Sequence, residues 1–425
     1  MYSSVCAIHG RFIRTVVSVL LLVGLAQPAF AAPLSFEDAL ALALRSTPTL
    51  SANAAQETAA RESAIPAGEL PDPKLVVGID NLPINTRDRF SLTRDFMTMR
   101  RIGIMQEFPN DDKRAARVEV AKGMVAVAEA QTQVTRQNVL RETAIAWIGR
   151  DTVEQQLAYI EALQAENRLL DSAVRARLAG GKGMTADTIA PRQEAAVIEE
   201  RRDAFEARRI QAIAALRRWI GPAANSALQG QPPDWAITRD TLQHNVQQHP
   251  EIVAFNSKEE VVNAEIKAAQ AEKKSDWSLE VAYQKRGPQF SDMVSLQARF
   301  DLRLFTATRQ DPMIAAKRAE RIGLDAEREA SVREHAAVLD SDLADFERLT
   351  SALKRQRDVL LPLAVEKVDL AMADWQGGRG TLSDVINARR ERIDAKLKLI
   401  QINGERSEMA ARLYYAYGEH AGVKP

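Results

Sequence analysis

The sequence predicts a mainly α-helical protein in which one unit of about 200 residues occurs twice, each copy contributing two short β-strands. The clearest observation is a repeated segment: LAGGKGMTADTIAPRQE at 178–194 returns as WQGGRGTLSDVINARRE at 375–391. Two very long stretches also run almost without Gly or Pro, which is typical of long helices. Aromatic residues make up only 5% of the chain, a composition that suits long helices better than a thick globular core.

Residues 1–31 are predicted to be a secretory signal peptide. Arg11 and Arg14 form a basic start, the apolar run TVVSVLLLVGLA follows, and AFA at 29–31 fits the cleavage rule. A helical membrane anchor, the alternative, would need roughly 20 apolar residues. The only cysteine, Cys6, lies in this segment, so we expect the mature chain to contain no disulfide, no thiolate ligand and no acceptor for a lipid anchor.

The first copy, 32–221, is predicted to contain a helix, two strands, a long helix, a turn and a second helix. The expected bounds are a helix at about 35–65, strands at about 74–82 and 97–108, a long helix at about 111–178 and a helix at about 185–220. The strands alternate only weakly; their apolar positions are Leu75, Val77, Ile79, Ile102, Ile104 and Phe108.

The second copy, 240–418, follows a linker at 222–239 and precedes a short tail at 419–425. After its first helix, the expected elements are strands at about 278–286 and 293–304, a long helix at about 312–376 and a helix at about 382–418.

The last predicted strand has the strongest pattern. MVSLQARFDLRLF alternates apolar and polar residues over the 11 residues from Val294 to Leu304, enough to cross an outer membrane at a tilt. Apolar side chains would then meet lipid and polar ones an aqueous lumen; the alternative is a surface ladder in a soluble sheet. The lumen-facing candidates are Gln297, Arg299, Asp301 and Arg303.

Both long helices carry a narrow apolar seam of the coiled-coil kind. The first consists of Leu157, Ile160, Leu163, Leu170, Val174 and Leu178. The second consists of Leu343, Phe346, Leu349, Leu353, Leu360 and Leu363. The two shorter helices of each copy together match the long helix in length, so we expect them to lie end to end along it.

Four strands per chain are too few to close a membrane barrel, because known outer-membrane barrels begin at eight strands. Open strand edges are not tolerated in lipid. If the strands enter a membrane, several chains must share one barrel.

Composition and motifs argue against nucleic-acid binding and catalysis. Lys plus Arg and Asp plus Glu both total 57, which gives no preference for nucleic acid. The chain has no H-E-x-x-H, no G-x-S-x-G and no cysteine nucleophile after the signal. Gly183 follows Lys182 where a phosphate-binding P-loop has Ser or Thr. We therefore predict neither an enzyme nor a cofactor.

The histidines do not predict a metal site. His244 and His249 are five positions apart, which does not place them on one helical face, and His335 and His420 stand alone in the sequence.

The chain resembles the TolC family of outer-membrane efflux channels over its whole mature length. The export signal, the duplicated element order and the turn motif carry the resemblance; the motif stands here as GMTADTIAPR and, more closely, GTLSDVINAR. LPDPKL near residue 70 and GIMQEFPNDDKRA at 103–115 are similar to motifs of the heavy-metal cation branch.

The resemblance implies a homotrimer in which three chains form a 12-stranded β-barrel in outer-membrane lipid and a long α-helical periplasmic barrel. It implies a passive exit duct, served by a periplasmic adaptor (a membrane fusion protein) and an inner-membrane, proton-driven RND-type pump, with heavy-metal cations as substrates. The alternatives are a duct for organic compounds and, from another class, a periplasmic adaptor.

The resemblance also implies site residues at the turns. Asp187 and Asp384 match acids that ring the periplasmic aperture, and Asn387 stands where some members have a second acid. The alternative for both Asp residues is an acid that favours a helix N-terminus. The adaptor-docking turn tips would be Gly180, Gly181, Lys182, Gly183, Gly377, Gly378, Arg379 and Gly380. For Lys182 and Arg379, the alternative is a solvated loop charge.

Overall fold

The computed structural model describes residues 33–181 and 183–418. The predicted signal peptide at 1–31, the tail at 419–425 and the tip residue Lys182 lie outside the described residues. Within them, the predicted class is confirmed: the protein is mainly helical, with a small antiparallel sheet, and the order helix, strand, strand, long helix, turn, helix occurs twice.

The first copy begins with two helices where one was expected. Proline has no N–H to donate, and the helix expected at 35–65 divides at Pro48. The elements are α1 (Phe36–Ser46), α2 (Pro48–Ala64), β1 (Lys74–Asp80), β2 (Met99–Phe108), α3 (Asp111–Ala179) and α4 (Ala190–Ile220).

The second copy repeats this order, with a division of its first helix at Pro250. The elements are α5 (Arg239–Asn245), α6 (Pro250–Ala271), β3 (Trp277–Lys285), β4 (Met293–Phe300), α7 (Gln310–Arg355), α8 (Leu361–Gln376) and α9 (Leu382–Tyr417).

The four strands form one antiparallel sheet in the order β1-β2-β3-β4, so the two copies join through β2 and β3. One face of this sheet is apolar and exposed across all four strands. Val77 pairs with Ile102 and Val281 with Leu296, and directly paired residues share a face. The apolar side chains of this outer face are between 43% and 74% exposed: Leu75, Val77, Ile102, Ile104, Val281, Tyr283, Val294 and Leu296.

Aromatic side chains border this outer face on the side of the helices. Phe108, Trp277 and Phe300 occupy one register row, with ring centroids 4.3 Å and 6.3 Å apart. At the other end, Arg100 pairs with Lys285. Trp277 and Tyr283 are six residues apart, roughly 20 Å along the strand.

β4 ends four residues earlier than its alternation predicts. In the register, Phe300 pairs with Trp277, the first residue of β3, so β4 has no partner strand beyond it. Beyond Phe300 the chain forms hydrogen bonds with the loop that precedes β3: Asp301 N–H donates to the Asp276 carbonyl at 3.0 Å. Arg303 Nη2 reaches Asp276 Oδ2 at 3.4 Å.

The 69-residue helix α3 organises the helical body. α2 and α6 pack along its first half, and α4 and α9 pack along its second half. The short helices meet end to end, as expected: Thr47 Oγ1, just after α1, donates to the Trp219 carbonyl near the end of α4 at 3.1 Å. The main core lies at this junction, where Trp147 is fully buried and its ring stands edge-on to Phe36 at 5.5 Å.

The second long helix is interrupted, and the predicted seam is wrong beyond it. A π-helical turn, Gln356–Leu360, separates α7 from α8 just before Pro362. One extra residue per turn rotates the following helix by about 100°. Leu360 and Leu363, predicted for the seam, are therefore 51% and 57% exposed, whereas Gln356 is buried.

Among the described residues, no helix has an apolar stretch long enough to span a membrane.

Candidate functional site

Both glycine turns place a glycine at positive φ just after a long helix. In the second turn, Gly378 N–H donates to the Trp375 carbonyl at 3.1 Å, and Arg379 N–H donates to the Asp374 carbonyl at 2.9 Å. This pair of bonds is a Schellman motif, which needs a left-handed residue at its centre. Gly378 supplies it with φ +75°. In the first turn Gly181 has φ +73°, and its N–H donates to the Leu178 carbonyl at 2.9 Å.

Glycine-to-alanine changes should have opposite effects at two positions. Gly378→Ala is expected to destabilise the chain by about 1–2 kcal/mol, because a side chain is strained at positive φ. Gly323→Ala is the matched control: it lies inside α7 with no atom near its new Cβ, so a gain of about 0.5–1 kcal/mol is expected. Denaturant midpoints of the two variants measure both effects, and equal shifts would contradict the assigned turn.

The structure brings the two turns together at one end of the body. The Arg177 guanidinium lies 4.7 Å from the ring centroid of Trp375, and its Nη1 donates to the Gln376 carbonyl at 3.3 Å. An apolar cluster joins the ends of α3 and α8 to the start of α9: Leu170, Val174, Trp375, Leu382, Val385 and Ile386. The sheet lies at the other end of α3, roughly 100 Å away.

Both candidate aperture acids cap the segments that follow the turns. Asp384 Oδ2 accepts the backbone N–H of Thr381 at 3.1 Å and its hydroxyl at 2.7 Å, while Thr381 Oγ1 caps α9 in return. These hydrogen bonds hold the pKa of the exposed Asp384 carboxyl below its usual value. Asp187 Oδ2 accepts the Met184 N–H at 3.2 Å. Asn387 is exposed one turn further along α9.

Arg379 has a partner within its own turn. Its Nη2 lies 3.0 Å from Asp374 Oδ1, and both side chains are more than half exposed. Exposed pairs of this kind contribute little to stability, so the Arg379 guanidinium stays accessible to a partner of opposite charge.

A buried ion-pair network, which the sequence pattern does not predict, lies next to the turns. Arg389 Nη1 contacts Glu166 Oε1 at 2.9 Å, and its Nε donates to Glu194 Oε1 at 3.3 Å. Arg392 holds both Glu166 oxygens at 2.7 and 2.8 Å. The network therefore ties together α3, α4 and α9, the helices that form the turn end.

Equivalent residues of the two copies differ in burial at this network. Arg389 and Glu194 are 3% and 2% exposed, whereas their counterparts in the other copy, Arg192 and Glu391, are both exposed. Both copies contain the pattern Arg-x-Glu, but the first copy contributes its Glu and the second copy its Arg to the buried ion pair. The repeated pattern indicates that these positions are related, and it does not indicate which of the four side chains are buried.

A second charged cluster lies on the polar face of the sheet. Glu280 on β3 is only 3% exposed and stands between Arg299 on β4, at 2.9 Å, and Arg101 on β2, at 3.6 Å. Gln297 pairs with Glu280 in the register and Arg299 lies two residues on, so these two predicted lumen residues share its face. Asp301 and Arg303 lie beyond the end of β4, beside Asp276.

Comparison with models of known protein families and with curated proteins finds no match.

Solved structures match the fold over almost the whole chain. A membrane protein from Pseudomonas aeruginosa aligns with a TM-score of 0.77 and 17% identity, covering 92% of this chain and 91% of its own. The outer membrane protein VceC from Vibrio cholerae aligns with a TM-score of 0.72 and 18% identity, covering 90% and 96%. CusC, whose structures concern folding and transmembrane channel formation, aligns with a TM-score of 0.73 and 17% identity, covering 93% and 95%. At these identities the likeness establishes the fold.

Proposed function

We propose that this chain is the outer-membrane exit duct of a tripartite efflux system, through which substrates leave passively after an inner-membrane pump has loaded them. The observation that carries the proposal is the outer face of the sheet. It is apolar across four strands, bordered by the aromatic row Phe108, Trp277 and Phe300, and it stands at one end of a long helical body. An apolar band with an aromatic border is typical of strands that meet lipid and its interface.

The edges of the sheet support assembly from several chains. β1 and β4 are edge strands, and in lipid their outward N–H and C=O groups need partners. Pairing β1 of one chain with β4 of the next satisfies both edges. Three chains of four strands would give twelve, enough for a closed sheet, with Glu280, Arg299 and Gln297 toward its aqueous interior.

The turn end is the proposed periplasmic mouth. In a trimer the two turns of each chain give six tips, at which the hairpins of a periplasmic adaptor would dock beside Arg379 and Lys182. Asp187 and Asp384, with Asn387 nearby, would surround the aperture. The ion pairs of Arg389 would hold the helices of the closed mouth together.

The proposed substrates are heavy-metal cations. This assignment rests on LPDPKL, which leads into β1, and on GIMQEFPNDDKRA, which runs from β2 into α3; both resemble motifs of the metal branch of the TolC family. A duct for organic compounds is the second candidate, because a passive duct leaves the choice of substrate to its pump.

Reconstitution tests the duct itself. The full-length exported protein, purified in detergent, should migrate as a trimer after cross-linking and should conduct ions in a planar bilayer. A water-soluble monomer or dimer without conductance would refute the duct.

A deletion strain tests the substrate. Loss of the gene should increase sensitivity to at least one of zinc, cobalt, cadmium, nickel and copper, and a plasmid copy should restore resistance. Unchanged resistance to all five metals, with increased sensitivity to organic compounds, would favour the second candidate.

A further inference from the structure

We propose that His249, Glu251 and His335 form a binding site for a divalent transition-metal cation of the zinc type, midway along the helical body. One potential ligand atom from each of the three residues lies within 4.8 Å of the other two. His335 is far from the other histidines in the sequence, but the fold packs the start of α6 against α7 and places the rings of His249 and His335 4.0 Å apart.

One of the three distances between the potential ligand atoms already fits a shared metal ion. His335 Nε2 and Glu251 Oε2 are 3.1 Å apart. Two ligand atoms of a tetrahedral zinc ion, each about 2.0–2.1 Å from the metal, stand roughly 3.3 Å apart. The side chain of Glu251 is 44% exposed, so it can rotate to close the third side of the triangle toward His249.

A second set of hydrogen bonds orients His335 as a ligand. Its Nδ1 lies 3.2 Å from the Tyr417 hydroxyl, and that hydroxyl donates to the His335 backbone carbonyl at 3.3 Å. With a metal on Nε2, the proton sits on Nδ1 and donates to Tyr417, whose own proton is already directed to the carbonyl. Metal-bound histidines usually have such a partner on the other ring nitrogen.

His249 can become a ligand at the cost of one long hydrogen bond. Its side chain is buried, at 2% exposure, beside His335. Its Nδ1 accepts the N–H of Glu251 at the start of α6, a bond of 3.3 Å. Ligation through either ring nitrogen gives up this bond, and its length makes the loss small.

The surrounding charge favours a cation. The three side chains open into a cleft of about 360 Å³. Its lining includes four carboxylates and two guanidiniums: Glu142, Glu251, Glu334, Asp342, Arg141 and Arg412. The lining is therefore net acidic even when both arginines are counted.

The donor set indicates the class of metal. Two imidazoles and one carboxylate suit zinc, cobalt, nickel or copper better than calcium or magnesium, and three protein ligands leave a position for water. Bound metal would fasten the start of α6 to α7 and, through Tyr417, to the end of α9. This site is independent of the proposed duct, since binding can be measured without any transport.

Titration of the purified full chain tests the site. After chelator treatment and dialysis, Zn²⁺ alone should bind saturably with one ion per chain and raise Tm by about several degrees, because a ligand that binds only the folded state stabilises it. Co²⁺ should give the visible absorption bands of a low-symmetry N/O site. No saturable binding up to millimolar Zn²⁺ would overturn the proposal.

Variants locate the ion. Glu251→Gln and His335→Gln should each weaken Zn²⁺ binding at least about tenfold, and Tyr417→Phe, which keeps the ring, should weaken it by about 10- to 100-fold. His244→Gln is the matched control, since this exposed histidine on α5 lies five residues before His249. Binding that survives in folded Glu251→Gln and His335→Gln, judged by unchanged helical circular dichroism, would also overturn the site.

Discussion

Arg389→Ala should destabilise the chain by about 3–5 kcal/mol, the typical cost of removing one partner from a buried ion pair. Arg389 and Glu194 are 3% and 2% exposed, and Glu194 has no other ionic partner among the described residues. Without the guanidinium, the Glu194 carboxylate stays buried but loses the hydrogen bond that Arg389 Nε donates to its Oε1. The denaturant midpoint of the purified variant in detergent measures this effect.

Arg192→Ala is the matched control for Arg389→Ala. It removes the same residue type at the equivalent position of the first copy, but Arg192 is exposed and should change stability by no more than about 0.5 kcal/mol. Similar losses in both variants would mean that the two copies are equivalent at the turn end and that the buried pair is not specific to Arg389.

Removing both buried charges should give a different result. Glu194→Met combined with Arg389→Met leaves Glu166 paired with Arg392, and apolar pairs often replace buried ion pairs without loss. The double variant should therefore recover most of the stability lost in Arg389→Ala. If the network also holds the proposed mouth closed, the double variant should conduct more current than the wild type in a planar bilayer.

The turns were the most predictable part of the molecule. Gly180-Gly181 and Gly377-Gly378 recur at one offset, and a helix end that needs positive φ selects glycine so strongly that sequence alone indicates it. The presence of β4 was predictable for a related reason, because its period of two is visible without knowledge of its partners. Its end was not, because β4 stops where β3 begins.

The features that sequence could not predict depend on contacts between distant segments. The π turn at Gln356–Leu360 adds a residue to a helix without a recognisable motif, although Pro362 nearby marks a break. At this turn the Gln356 side chain is buried, and its Nε2 donates to the Ala395 carbonyl on α9 at 2.9 Å. Packing between helices also determines that Glu194 and Arg389 are buried. It likewise brings His335 close to His249.

With the proposed lipid contact of β4, Leu296→Arg should prevent stable assembly in the outer membrane, at a cost of about 2–4 kcal/mol per chain. Leu296 lies in the middle of β4, pairs with Val281 and is 72% exposed on the outer face. A guanidinium at this depth in a bilayer must leave water, and measured costs on lipid-facing strands are of this size. Heat-modifiable trimer in purified outer membranes, detected on gels, is the measurement.

Gln297→Arg is the matched control, because this neighbour carries the same new charge on the polar face beside Glu280. It should assemble normally, and the added cation would lie near a carboxylate already held by Arg299 and Arg101.

The size of the Leu296→Arg effect distinguishes a sheet that meets lipid from a sheet that meets water. On a water-exposed sheet, an exposed leucine changed to arginine should alter stability by no more than about 0.5 kcal/mol. In lipid the same change is costly, and its neighbour on the opposite face is tolerated. Equal tolerance of Leu296→Arg and Gln297→Arg would therefore refute lipid contact for β4, whereas a loss confined to Leu296→Arg requires that only one face of the strand meets the membrane.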